Sequence, residues 1–504
     1  MKHKIFTASL LAISLLATGC GGTAPNTGSI PDISAAEDST AETTYTDTMT
    51  TRTTAAETTA GVTSVPETAN TTETKATAAP TEVNTTQKNT EAHQDTQVQT
   101  GPTAQQQEQP GAEVTQPQTT DVSTVTTVTE TSTTAMTATI AITAPPETTT
   151  SVCTNPQPRT VLDSMTLEQK VCQMFMVTPD AITGISPMTE VGDGTRKAIE
   201  EYPVGGIIYF AQNLTSKEQA KKMIANTQNY AKKACGIGLF TAVDEEGGVV
   251  ARCAQKLGTV KFKSMAHYGK ANDSKTAYDI GSSLGKDLKS LGFNVDFAPV
   301  ADVNICSANE LGDRIFSSDP NVVANMCSYV TKGLQDEGVF ATLKHFPGLG
   351  AENGNTHTNS NVVIDRTLEQ LRETEFIPFS EGIKADVGFI MVGHQSVTGF
   401  GDELPCDLSY KAVTETLRKE LGFEGIAISD SQQMNTISKV YTSGEAAKLS
   451  IKAGIDIILM PVDYRAAIDE VCTAVRSGEI PEKRIDESVM RILRKKRTLG
   501  LLKK

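Results

Sequence analysis

Val339-Phe-Ala-Thr-Leu343, followed at once by Lys344-His-Phe-Pro-Gly348, is the stretch on which the fold turns. Apolar and β-branched residues make a short buried strand, and two basic side chains stand at its C-terminal end. Residues 322–337 before it and 369–384 after it have the apolar spacing of amphipathic helices. Outward from there the unit repeats. Strands are expected over 175–177, 204–210, 239–243, 294–298, 339–343, 387–392, 425–429 and 456–460, and helices over 216–233, 276–290, 322–337, 369–384, 410–420 and 444–453. Ahead of them, Thr166-Leu-Glu-Gln169 is a capping-box pattern opening a helix that runs to about Met174. Strands alternating with helices predict an α/β fold, a parallel sheet closed as a (β/α)8 TIM-type barrel. An open doubly wound sheet is the alternative, but no Gly-rich dinucleotide fingerprint follows a strand.

Polar residues fall at the strand ends. Asp244 follows the strand over 239–243, Asp302 and Asp313-Arg314 the next, and Lys344-His345, His394 and Asp430 the three after that. In a barrel these ends open at one mouth, where active sites are built. Each residue alone has a bland reading, Asp430 as a helix cap and His345 as a satisfied core imidazole. Five strand ends agreeing on one face outweigh it.

The remaining composition describes how such a domain is carried. The chain has 504 residues and a formal net charge of −15. Residues 21–156 hold 16 Asp and Glu against 3 basic residues, while 157–504 holds 44 acids and 40 bases. The acidity therefore belongs to the first part, and no basic patch recommends nucleic acid as a partner. Residues 41–150 include 39 Thr, no Leu, Phe or Trp, and one aromatic, Tyr45. Such a segment buries too little apolar surface to offset its chain entropy, so a disordered linker is expected over 21–156, with a span on the order of 65 Å. Residues 1–20 read as a secretory signal: basic start, apolar run, then Ala17-Thr-Gly-Cys20. That ending resembles a bacterial lipobox, which would make Cys20 a lipidation site and place the protein, lipid-anchored or secreted, on the extracellular face of the cytoplasmic membrane. The other eight Cys form no C-x-x-C pair or Cys/His cluster, so no metal site is expected.

Taken together, Met165-Thr-Leu-Glu-Gln-Lys-Val171, Val204-Gly-Gly206, Asp244-Glu-Glu-Gly-Gly248, Asp296-Phe-Ala-Pro-Val300, Gly312-Asp-Arg-Ile-Phe316, Lys344-His-Phe-Pro-Gly348 and Ile428-Ser-Asp430 form an ordered set. The set resembles glycoside hydrolase family 3, in its single-domain β-N-acetylglucosaminidase branch, and covers about 162–502. The resemblance implies retaining hydrolysis of terminal β-linked N-acetylhexosamine from cell-wall or chitin-type oligosaccharides, with no cofactor, by the domain over 157–504. It implies Asp430 as the nucleophile, a role that suits a carboxylate held rigidly at a strand end. Asp244, Arg314, Lys344 and His345 match the family's sugar-hydroxyl clamp, and His394 and Met434 are expected to line the same pocket. With no Trp in the chain, sugar stacking falls to Phe, Tyr or Met.

The general acid is the point of departure. Two-domain members take it from a second domain, and this sequence stops at Leu501-Leu-Lys-Lys504 after the last barrel helix, so none is expected. The acetylglucosaminidase branch uses a His on the loop after Lys-His-Phe-Pro-Gly, paired with an Asp two residues earlier. Here His357 has the family's spacing, but Asn355 stands at the Asp position. An amide fixes the tautomer without stabilising imidazolium, and the equivalent change behind a serine-protease His costs about 10⁴ in rate. Glu352 substitutes, or Asn355 suffices at a lower rate, or the protein binds sugars without turnover. Phosphate as acceptor, giving a phosphorylase, is a further reading. The main alternatives to a monomeric hexosaminidase are thus a catalytically impaired glycan-binding lipoprotein and a β-glucosidase of the same family.

Overall fold

The computed structural model describes residues 156–351 and 362–502. Cys20, the signal, the Thr-rich segment up to Asn155, and Glu352, Asn355 and His357 lie outside the described residues. Eight parallel strands form the expected closed barrel: β1 (Phe175–Val177), β2 (Gly206–Ile208), β3 (Phe240–Val243), β4 (Val295–Asp296), β5 (Phe340–Phe346), β6 (Phe389–Val392), β7 (Ile426–Ser431) and β8 (Ile457–Leu459). Each pairs with the next in chain order, and Met176 opposite Leu459 closes the ring. The strands read as continuous apolar runs because both their faces are buried, one under helices and one in the barrel interior. Phe240 and Phe389, first residues of β3 and β6, meet edge to face across that interior with ring centroids 5.2 Å apart.

The helices begin where the sequence signals them. Thr166 and Gln169 exchange the two bonds of the capping box at the start of helix Leu167–Gln173. Helices Ser274–Leu291 and Pro320–Asp336 cross at backbone contact: a Cβ on Gly281 would lie 2.2 Å from the Val330 carbonyl oxygen, and one on Gly333 2.3 Å from that of Tyr278. Only glycine fits at either position.

One helix differs from expectation. Residues 369–384 form two helices, Leu368–Glu373 and Phe376–Lys384. Pro378 explains the break, since in a continuous helix its ring would clash with the carbonyl four residues earlier, whereas the first turn of a new helix accepts it. At the junction Glu375 turns inward to a bidentate pair with Arg366, at 2.9 and 2.8 Å. Among the described residues no helix is long and apolar enough to cross a membrane.

Candidate active site

The strand ends build the mouth from two clusters. In the first, β5 runs on past Leu343, so that Lys344 and His345 belong to the strand itself. Lys344 Nζ lies 2.8 Å from Asp244 Oδ1 and 2.6 Å from Glu246 Oε1. Arg314 reaches the same Glu246 from the loop after β4, through Nε and Nη2, both at 2.8 Å. Two expected clamp residues, Lys344 and Arg314, are therefore joined through Glu246, and Lys344 ties in a third, Asp244. Burial alone would raise the Glu246 carboxyl, but Lys344 and Arg314 overcome it and hold the group at about 2. The same geometry keeps Lys344 charged: burial disfavours the ammonium, and Asp244 and Glu246 more than compensate.

The neighbouring Glu245 does something else. Its carboxylate accepts from the N–H groups of Cys253, at 2.6 Å, and Ala254, at 2.8 Å, capping helix Arg252–Leu257. Burial pushes this carboxyl up to about 7 despite those bonds. Adjacent positions of the Asp244-Glu-Glu246 run thus serve the scaffold and the mouth by turns, as expected of an extended segment whose side chains alternate.

His345 is oriented by Asp302. Oδ2 of Asp302 lies 2.8 Å from His345 Nδ1 and accepts from the His345 N–H at 3.1 Å, while Oδ1 accepts from the Leu349 N–H at 2.6 Å. A fully accepting Asp302 puts the proton on Nδ1 and leaves Nε2 for a ligand. Among the described residues, Nε2 of His345, Nη1 of Arg314, one N–H of Lys344 and Oδ2 of Asp244 carry no hydrogen bond to protein. The side chains of Asp244 and Arg314 are 18% and 20% exposed, against 3% and 2% for Lys344 and Glu246, so the outer pair reaches solvent. These groups offer both donors and acceptors, which is what a polyol needs.

The second cluster surrounds Asp430 at the end of β7. The half-buried Asp430 accepts from the Ser431 N–H at 2.7 Å through Oδ1. Ser429 and Phe346 both pair with Val392, so Asp430 and His345 stand on the two strands flanking β6. The Ser431 carbonyl accepts from His394 Nε2 at 2.9 Å and from the Met434 N–H at 3.0 Å, which draws two more expected residues to one point. Met434 is buried beside it. His394 departs from expectation. It is fully buried, with Nδ1 3.0 Å from Asp407 Oδ1, so neither nitrogen remains for a sugar.

Sequence reasoning had Glu246 and Asp302 in view without a role and missed Asp407. For the first, the strand-end position of Asp244 was the available signal; for Asp407, 13 residues beyond His394, nothing local pointed to it. Among the described residues no cluster of His, Cys, Asp and Glu could hold a metal ion.

Comparisons with known proteins agree on one kind of relative. The family profile described as "Glycosyl hydrolase family 3 N terminal domain" matches residues 166–495. The chain is 32% identical over 341 residues to beta-hexosaminidase A of Pseudoalteromonas piscicida, covering 62% of this chain and 56% of that protein. It is 34% identical over 264 residues to beta-hexosaminidase LpqI of Mycobacterium tuberculosis, covering 50% and 67%. A solved family 3 beta-N-acetylglucosaminidase from Paenibacillus sp. str. FPU-7 superposes with a TM-score of 0.62 at 36% identity, over 67% of this chain and 63% of that one. The chain thus spans little more than half the length of the first of these relatives.

Proposed function

Since the chain belongs to glycosyl hydrolase family 3, we propose that it is a retaining β-N-acetylhexosaminidase acting on terminal β-linked N-acetylglucosamine of cell-wall or chitin-type oligosaccharides. The observation that carries this reading is one mouth holding both a half-buried carboxylate at a strand end, Asp430, and a preorganised polyol clamp. Asp430 attacks the anomeric carbon and forms the glycosyl-enzyme. Asp244, Arg314, Lys344 and His345 hold the sugar hydroxyls, with Glu246 fixing the two cations and Asp302 fixing the imidazole. Contacts of that kind raise kcat when they tighten in the transition state. His357 protonates the leaving oxygen and then activates water, with Asn355 or Glu352 orienting it.

Hydrolysis of a chromogenic β-N-acetylglucosaminide by the full chain, with and without phosphate, tests the reading. Turnover that disappears in Asp430→Asn supports it, and rate enhancement by phosphate would instead indicate a phosphorylase. The competing reading, a glycan binder without turnover, is favoured by one feature, Asn355 in place of the family's Asp. Saturable binding of the glycan with no release of chromophore would establish that reading, and a gain of rate in Asn355→Asp would assign the deficit to the amide. The Ala17-Thr-Gly-Cys20 ending supports a lipid anchor at Cys20 on the outer face of the membrane. Detergent-phase partitioning that persists in Cys20→Ser would refute it.

A further inference from the structure

The buried groups behind Asp430 form a closed circuit that the proposed chemistry does not use. Gln432 Nε2 donates to Ser450 Oγ at 2.9 Å, and Ser450 Oγ donates to Asp407 Oδ2 at 3.5 Å. Asp407 Oδ1 meets His394 Nδ1 at 3.0 Å, and His394 Nε2 meets the Ser431 carbonyl at 2.9 Å. The circuit starts and ends on the two residues that follow Asp430.

The circuit sets an oxygen opposite each ring nitrogen of His394. A main-chain carbonyl only accepts, so Nε2 carries a proton. Ser450 Oγ receives the Gln432 amide and gives its own hydrogen to Asp407 Oδ2, which leaves Oδ1 facing Nδ1, a nitrogen that donates when the carboxylate is charged. The ring is sealed at 0% exposure between these two oxygens. Burial works against a positive charge there, but Asp407, Asp430 and the Ser431 carbonyl outweigh it and raise the imidazole to about 9. Asp407, on the loop after β6, and Asp430, on β7, are the charged groups that bear on it.

We propose that His394 is a positioning residue for Asp430: doubly protonated against Asp407, it anchors the Ser431 carbonyl and sets a fixed positive charge behind the attacking carboxylate. Its effect on rate rests on the nucleophile reading above, whereas its charge does not. Anchoring one residue beyond the carboxylate restrains the direction of attack, and the charge favours the ionised nucleophile.

The test uses the full chain in two arms. Nitrogen-15 spectra of labelled histidine, with His394 identified among six histidines by loss of its signals in His394→Gln, should show both ring nitrogens protonated at about pH 7.5. A neutral ring there overturns the proposal, whatever the enzyme does. In Asp407→Asn, kcat should fall about tenfold or more with KM changed less than about threefold, and the acid limb of kcat/KM should move to higher pH. A folded variant with an unchanged acid limb and kcat within about twofold of wild type also overturns it. Should that variant fail to fold, the wild-type spectrum still decides the charge. Absence of turnover in the wild type would instead remove the hexosaminidase reading and leave the spectrum to be judged separately.

Discussion

At the mouth, Lys344 and Arg314 direct their bonds to Asp244 and Glu246 and keep donors in reserve. At the opposite end Asp456, just before β8, faces three arginines, and two of them, Arg418 and Arg484, also donate to main-chain carbonyls. Arg418 Nη1 donates to the carbonyls of Phe423 and Gly425 at 2.8 and 2.7 Å, and Arg484 donates to those of Ile451 and Ile455 at 3.0 and 2.9 Å. Asp456 is equally closed, accepting from Ser488 Oγ at 2.6 Å, from the Ala427 N–H at 3.1 Å, and from Arg418. Buried charge alone does not mark a functional site. What separates the two ends is the acceptor: Asp244 at the mouth is bonded through Oδ1 alone and is 18% exposed, whereas Asp456 at the floor is sealed and bonded at both oxygens.

The comparison breaks if floor variants change the chemistry or mouth variants change only stability. The largest effect is expected for Asp456→Asn, which leaves three guanidinium groups without their counter-ion and should cost about 4 kcal/mol of unfolding free energy. Urea unfolding measures it, while kcat/KM of the folded protein stays at the wild-type value. Acid should reveal the same contact. Burial would raise the Asp456 carboxyl, but the arginines hold it below the usual range, so its stabilisation is full above about pH 4 and is lost as pH falls through the folded value. Glu246 behaves alike, losing its share as pH falls from about 4 to about 2. A flatter acid limb of stability is therefore expected in Asp456→Asn.

Next comes Arg314→Met at the mouth, expected to lower kcat/KM about 10²-fold with a smaller loss of stability than Asp456→Asn. Equal stability losses with full activity would erase the distinction. The smallest effect sharpens it. Lys496 is fully buried at the floor, its Nζ 2.7 Å from Gln173 Oε1, and burial pushes it down to about 7. The face of Phe240, 5.0 Å from Nζ, pulls the other way by favouring the cation. A lysine lowered on folding costs nothing above its unfolded value of about 10.4, and the cost grows as pH falls to about 7. Lys496→Met should then stabilise by about 2 kcal/mol near pH 7, with the gain vanishing toward about pH 10.5. Thermal melts at the two pH values check it.

Much of the fold was legible because strands buried on both faces leave unbroken apolar runs, and because charges cannot follow such runs without reason. Lys344, His345 and Asp430 could be placed at the mouth on that ground. Legibility stopped where pairing became non-local. Nothing in the order Glu245-Glu246 says which one turns to Lys344, since the choice depends on a helix start at Arg252 capturing the other. His394 could be assigned to the mouth, but not turned away from it, because Asp407 comes from a later loop and the Ser431 carbonyl from the end of β7. The break at Pro378 was readable, and was passed over in favour of a continuous period.

The floor has one more consequence. Lys496 and Gln173 lie beneath the Phe240–Phe389 pair, so the strand ends opposite Asp430 are stoppered by bonded side chains. A barrel sealed at one end has a single doorway. For the proposed hydrolase, a released monosaccharide would retreat along the path by which the glycan arrived, with departure and arrival competing for the same passage. On that reading, traffic through the mouth would count alongside bond breaking within it in readying the site for another chain end.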